Sequence, residues 1–554
     1  MPRPAPPLPR LLFAFVAPFR EFLRTQSASG LLLVLATAAA LAWANSRFGG
    51  SYHDFVHARV SAGLGPGQVA WPLSHWVNDA LMAFFFLLAG MEIKRELVVG
   101  ELRTLRRAAL PLVAALGGMA APALIYVAFN AGGPGMAGWA VPTATDIAFS
   151  LGCLTLIGRR APPSLGVFLA ALAIFDDLGA IIVIALFYGA GLDLAALGVA
   201  AAISLLLVAL GRSGVRTLWL YLPLGTALWV ALYRSGLHAT LAGVVLGLAI
   251  PSKPPREPTD VIDDLGRAVD ALHRARAGEA EGGGVDGAVA ALERHLESMQ
   301  SPLDRLRHGL HGPVSYGIVP LFALVNAGIT FGPGAAALAA SPVALGAGLG
   351  LFVGKPVGVF GSTYAAVRLG LAPRPAGTSW AQIFGAALLA GIGFTMSIFI
   401  TGLAFAADPA AQDAAKTGVF AGSFAGALAG LALLRRSAAP APEAGDGGEV
   451  RVLVDLPQFA NDYRLAQWAP RRALVGRTLG ELDARSRYGV NVLGVWAHEG
   501  GGVVEATRKL KPVGGDYRVE LGDTLLLVGD RDAVAAFLAL DEAEPEKARA
   551  DVIS

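Results

Sequence analysis

A chain of 554 residues with 54% hydrophobic and only 16% charged side chains is too long for one compact soluble core and too poor in charge for a soluble surface, where about 25% of residues are charged. Only a bilayer hides that much apolar surface. The net charge of +2 gives no electrostatic case for a nucleic-acid partner, and the single cysteine, Cys153, excludes an intramolecular disulfide and a cysteine-built metal centre.

The chain opens on MPRPAPPLPRLLFAFVAPFREF. Its apolar run from Leu11 to Phe19 is short, is broken by Pro18 and has no small-residue cleavage site after it, so it reads as a membrane-surface lead-in and not a signal peptide. A bilayer core about 30 Å thick needs about 20 apolar residues per helix. Segments that meet or approach this lie near 28–47, 73–93, 108–130, 139–157, 165–189, 193–211, 216–233, 236–250, 313–331, 341–366, 380–405 and 414–434. The expected fold is therefore an all-α polytopic membrane protein of about 12 transmembrane helices. With the N-terminus in the cytoplasm, Arg103, Arg106, Arg107, Arg159, Arg160, Arg212, Arg216, Arg368, Arg374, Arg435 and Arg436 fall on the cytoplasmic side. Only Arg59, Arg234 and Lys416 fall opposite, as the positive-inside rule requires, and both termini are then cytoplasmic.

Two regions are not membrane. Residues 251–307 form a long cytoplasmic loop, with amphipathic helical stretches VDALHRA and AVAALERHLESMQ around the flexible EAEGGGVDG. After a membrane domain of 1–437 comes a Pro-, Gly- and acid-rich linker, 438–449, and a small soluble α+β domain at 450–554. There VRVLVDL, VNVLGVWA and DTLLLVGD read as strands and DAVAAFLAL as a closing helix.

Several ionisable residues lie at bilayer depth, where each costs several kcal/mol and needs a reason. Asp176 and Asp177 sit mid-span in LAALAIFDDLGAIIVIALF. Adjacent on a helix, they point roughly 100° apart, so at least one faces a cavity or a partner. Two such carboxylates are not easily both charged, so the pair can hold a proton or offer hard oxygens to a small cation. A site that takes one or the other, but not both, is the minimal device for exchange. Asp146 follows Pro142 in WAVPTATDIAFSLG, where proline breaks the helix ladder and Thr143 and Thr145 can satisfy freed backbone groups. A carboxylate there would cap a half-helix. Lys355, between Gly354 and Pro356, needs either the aspartate pair or the carbonyl end of a broken helix. Gly391 and Gly393 mark a second interruption. Broken spans four and eleven, one in each half, point to inverted repeats around a midplane ion site.

The motifs NDALMAFFFLLAGMEIKREL, WAVPTATDIAFSLG, LAIFDDLGAIIVIALFY, SGLHATLAG, LFVGKPVG and GIGFTMSIFI, in this order, resemble the signatures of the NhaA family of sodium/proton antiporters over roughly residues 20–436. The resemblance implies a secondary transporter of the inner membrane, not an enzyme, usually a homodimer. It would carry out electrogenic exchange of Na⁺ or Li⁺ for more protons, activated at alkaline pH, with no cofactor beyond the transported ions. It places the ion ligands on Asp176 and Asp177, the helix-crossing residues on Thr145 and Asp146, and the essential lysine on Lys355. It places a cytoplasmic pH cluster on Glu92, Lys94, Arg95 and Glu96, and a pH-linked histidine on His238. One departure is Arg307, which stands where the family commonly has a glutamate. The stretch GRTLGELDARSRYGVNVLGVWAHEG…YRVELGDTLLLVGDRDAVAAF resembles the C-terminal subdomain of RCK potassium-transport regulators (TrkA-C type). Such domains dimerise and often bind small ligands, including nucleotides. An intramembrane aspartyl protease would pair two aspartates from separate spans, such as Asp146 and Asp177, but Asp176, Lys355 and the two broken spans fit ion exchange better. A channel would need a carbonyl filter such as TVGYG, which is absent.

Overall fold

The computed structural model describes residues 26–62, 69–98, 100, 104–158, 161–189, 191–252, 301–330, 334–437, 450–456, 463–468, 476–496, 515–520, 523–530 and most of 533–538. The N-terminal lead-in, the linker and the two helical stretches expected in the long loop lie outside them. The chain divides into a helical unit and a strand-containing C-terminal unit.

In the helical unit α1 (Gln26–Ala44) meets α2 (Gly49–His57) at 117°. A short antiparallel pair follows, β1 (Arg59–Ala62) on β2 (Val69–Pro72). Then come α3 (Leu73–Val98), α4 (Leu105–Asn130), a 3₁₀ helix over Pro134–Thr143, α5 (Ile147–Thr155), α6 (Pro163–Phe187), α7 (Leu194–Arg212), α8 (Leu218–Ser235) and α9 (Leu241–Ala249). After the long loop stand α10 (Pro302–Pro313), α11 (Val319–Asn326), α12 (Pro342–Arg368), α13 (Trp380–Ala390), α14 (Phe394–Ala404) and α15 (Pro409–Arg436).

Among the described residues six helices are long and apolar enough to cross a membrane, or up to eight if each bent pair is one span. The helix α7 shows why the surrounding solvent is lipid. It is apolar all round yet buries only Ala200 and Leu207 against the rest of the protein, a surface that water does not tolerate.

Sequence signals set the helix starts. Proline stands at the first turn of α6, α10, α12 and α15, where its missing N–H costs nothing. Ser301, Ser341, Ser379 and Asp408 cap α10, α12, α13 and α15. Within the segment expected as a long loop, α10 begins at Pro302, because Ser301 accepts from Asp304 N and proline presets the first turn. In the span expected near 236–250 the helix itself is short: Gly236, at φ 83°, ends α8, and the nine residues of α9 extend about 13 Å.

Small residues let the helices close. A Cβ on Gly354 would lie 2.6 Å from Pro122 Cα, and one on Gly118 would lie 2.7 Å from Val359 Cγ2. The α4 and α12 backbones therefore touch. Along α15, Gly418, Gly422, Gly426 and Gly430 face Ala344 and Gly348 of α12 and Leu388 and Leu389 of α13. Pro356 removes one ladder hydrogen bond, and the turn before it, Gly350–Gly354, opens into a π-helical turn.

The C-terminal unit is an antiparallel sheet of β3 (Val450–Leu456), β4 (Tyr463–Trp468), β5 (Asn491–Trp496) and β6 (Thr524–Asp530), in the order β3-β4-β6-β5. Trp468, Val495, Leu525, Leu527 and Phe537 fill its core. The strand β4 was not expected, because Arg464 and Gln467 interrupt its apolar pattern.

Candidate functional site

Four elements converge on the charged residues. The 3₁₀ helix ends at Thr143, and α5 starts after the extended residues 144–146. Opposite, α13 and α14 meet at Gly391–Gly393 with a bend of 41°. The two breaks bind each other: Asp146 N donates to Ile392 O at 2.7 Å, and Ser150 Oγ donates to Leu389 O at 2.8 Å. Broken ends thus satisfy one another where no water-facing partner is needed.

Asp146 caps both half-helices. Its Oδ1 accepts from Phe149 N at 3.0 Å, and its Oδ2 accepts from Thr395 Oγ1 at 2.6 Å and Thr395 N at 3.2 Å. Asp176 and Asp177 come from the middle of α6 and are both buried. Asp176 Oδ2 lies 2.7 Å from Lys355 Nζ, with neither side chain exposed. Lys355 also donates to Thr143 O, the carbonyl end of the 3₁₀ helix. Both partners that the sequence allowed for this lysine are therefore used at once. Thr145 Oγ1 lies 2.7 Å from Asp176 Oδ2 and 2.8 Å from Ala390 O. Its one proton serves one of these acceptors at a time. Oδ1 of each aspartate has no hydrogen-bond partner; the two differ in that Asp176 Oδ2 is held by Lys355 and Thr145.

A cavity of about 530 Å³ leads to this centre. Asp177, Asp146, Thr145 and Thr395 line its inner part, whereas Asp176 and Lys355 do not line it. Glu92, Arg95, Glu96, Arg307 and His311 also line it, and Arg95, Glu96 and Arg307 reach solvent, with 30%, 23% and 21% of their side chains exposed. The cavity thus joins three of the expected pH-cluster residues to the aspartates. Lys94 is elsewhere. Its Nζ donates to Leu248 O at 2.8 Å and Ile250 O at 2.5 Å, capping the end of α9. His238 is also away from the cavity, its Nε2 2.8 Å from Tyr188 O.

Residue-by-residue reading missed Thr395, Ser150, Asp304 and His311. A hydroxyl in the first turn after GIG was a usable signal for Thr395. Burial, and then the charges of Arg307 and His308, hold the His311 imidazole below its usual range. It is then neutral at pH 7 and gains its proton only on the acid side of about 6.5, the ordinary histidine value. His311→Gln should accordingly leave activity at this site unchanged at pH 7 and above and alter it only on the acid side of about 6.5. An equal effect at pH 8 would contradict this.

Membrane-spanning helices broken in pairs, crossed at buried carboxylates and opened by a cavity are the arrangement of a secondary transporter. The chain belongs to the Na⁺/H⁺ antiporter 1 family, whose model matches residues 20–434, and it carries a TrkA-C domain at 469–541. It is 48% identical to the Na(+)/H(+) antiporter NhaA 1 of Myxococcus xanthus over 443 residues, covering 80% of this chain and 98% of that one. It is 49% identical to the Na(+)/H(+) antiporter NhaA of Mesorhizobium japonicum over 399 residues, 72% of this chain and 89% of that one.

Proposed function

We propose that this protein is an electrogenic, pH-regulated antiporter that exports Na⁺ or Li⁺ in exchange for protons by alternating access at Asp176 and Asp177. The observation that carries this reading is the asymmetry of the pair. Asp176 is neutralised by Lys355 at 2.7 Å and does not line the cavity, while Asp177 lines it. Asp177 meets an arriving cation first and must give up its proton to bind it. The cation then competes with Lys355 for Asp176. Lys355, displaced from Asp176, gives up the second proton, so two protons leave for one monovalent cation and net charge moves, which is the source of electrogenicity. Thr145 and Asp146 hold the broken helices at the same depth, so a shift of either half-helix re-exposes the site to the other side.

The same reading takes the molecule to have 12 crossings in inverted repeats, with both termini cytoplasmic in the inner membrane, and to work as a homodimer. The arginine distribution and the family support it. Glu92, Arg95 and Glu96 are its pH-responsive mouth, and the C-terminal domain is a regulator that takes a small-molecule or nucleotide ligand.

The test is transport in vesicles holding a pH dye. Sodium added outside should drive protons out and turn the interior alkaline, and Asp177→Asn should abolish the signal. Proton movement that survives in Asp177→Asn would remove the aspartate from the mechanism.

A further inference from the structure

The mouth of the cavity holds two guanidiniums, Arg95 and Arg307. Positive groups at the entrance of a cation path repel what must enter. Behind them, off the cavity lining, stands Asp304. Its Oδ1 lies 3.4 Å from Arg95 Nε and 3.8 Å from Arg307 Nε, and only 13% of its side chain is exposed. The carboxylate is itself fixed. Ser301 Oγ donates to Asp304 Oδ2 at 2.7 Å and accepts from Asp304 N at 3.1 Å. This seat in the first turn of α10 leaves Oδ1, which accepts no hydrogen bond, facing both arginines. Arg307 stands where an acid was expected, and the structure supplies the acid one helical turn earlier.

The groups that meet here are Glu92, Arg95 and Glu96 from α3, and Asp304, Arg307, His308 and His311 from α10. Three carboxyl groups stand with two guanidiniums, so removing the charge of Asp304 shifts the mouth by one unit towards positive. Without Asp304 that balance shifts, Arg307 loses its contact at 3.8 Å and Arg95 keeps Glu96 at 3.5 Å but loses the carboxylate that draws it off the path.

We propose that Asp304 is a positioning residue for transport. It holds Arg95 and Arg307 back from the cation path and keeps the mouth attractive to cations. This rests on the exchange reading above. In reconstituted full-length protein, Asp304→Asn should raise KM for Na⁺ about 3- to 10-fold with kcat little changed, and more so at low ionic strength. Asp304→Glu should stay within about twofold of the unsubstituted protein, and Asp304→Asn with Arg307→Gln should return towards it, because one charge of each sign has gone. A merely structural role would lower the melting temperature and kcat without this rescue. An unchanged KM in Asp304→Asn, with Asp177→Asn still inactive, overturns the proposal and leaves the exchange reading standing. A double variant whose KM stays as high as that of Asp304→Asn overturns it too. No sodium-driven proton exit in the unsubstituted protein overturns both.

Discussion

Lys355→Ala should destabilise the membrane unit by about 3–5 kcal/mol, because it strands the carboxylate of Asp176 without a counter-charge in a fully buried site. It also frees the Thr143 carbonyl that Lys355 holds. Thermal melting of the purified full chain reads this as a fall of several degrees. Replacing both partners, Lys355→Met with Asp176→Leu, should cost less than Lys355→Ala alone, since no uncompensated charge remains. Both variants should lose transport. A single variant that melts like the unsubstituted protein would falsify the view that this ion pair holds the 3₁₀ helix, α6 and α12 together.

The second large effect is expected at the crossing. Asp146→Ala removes the acceptor of three donors, Phe149 N, Thr395 N and Thr395 Oγ1. Each buried donor left unsatisfied costs about 1–3 kcal/mol, and the cap on α5 is lost with them. Transport should stop and the melting temperature should drop. Asp146→Asn keeps an acceptor oxygen and nearly the same shape. It should recover much of the stability while still transporting poorly, since the negative charge facing two half-helix starts is gone. Equal melting of the two variants would mean that the cap contributes little and that the charge alone matters.

The residues of the candidate site were largely legible in the chain. Charge inside an apolar run is costly enough that Asp176, Asp177, Asp146 and Lys355 announce themselves without any knowledge of their neighbours. The breaks at Pro142 and at Gly391–Gly393 were readable for the same local reason, since proline lacks a donor and glycine stabilises helices poorly. Misreadings fell where the signal was not local. The strand β4 is stabilised by pairing with β3 and β6, which its own pattern does not reveal. The pair β1–β2 is four residues a side and too short for periodicity to register. Lys94 reads as part of a charged cluster with Glu92 and Glu96, yet it turns to the carbonyls of Leu248 and Ile250, about 150 residues away.

By itself, then, the sequence determined that this protein lives in a bilayer, which charges it keeps there, where its helices break and that a strand-containing domain follows them. These follow from composition, from the cost of burying charge and from backbone chemistry, all of them properties of short segments. The tertiary structure alone decided which aspartate is paired with Lys355 and which faces the cavity. It also decided that the two breaks bind each other, and that Asp304 answers for the missing acid at Arg307. Those depend on which helix faces come together at the glycine contacts of α4, α12 and α15, and a distance between residues far apart in the chain is not written in either of them.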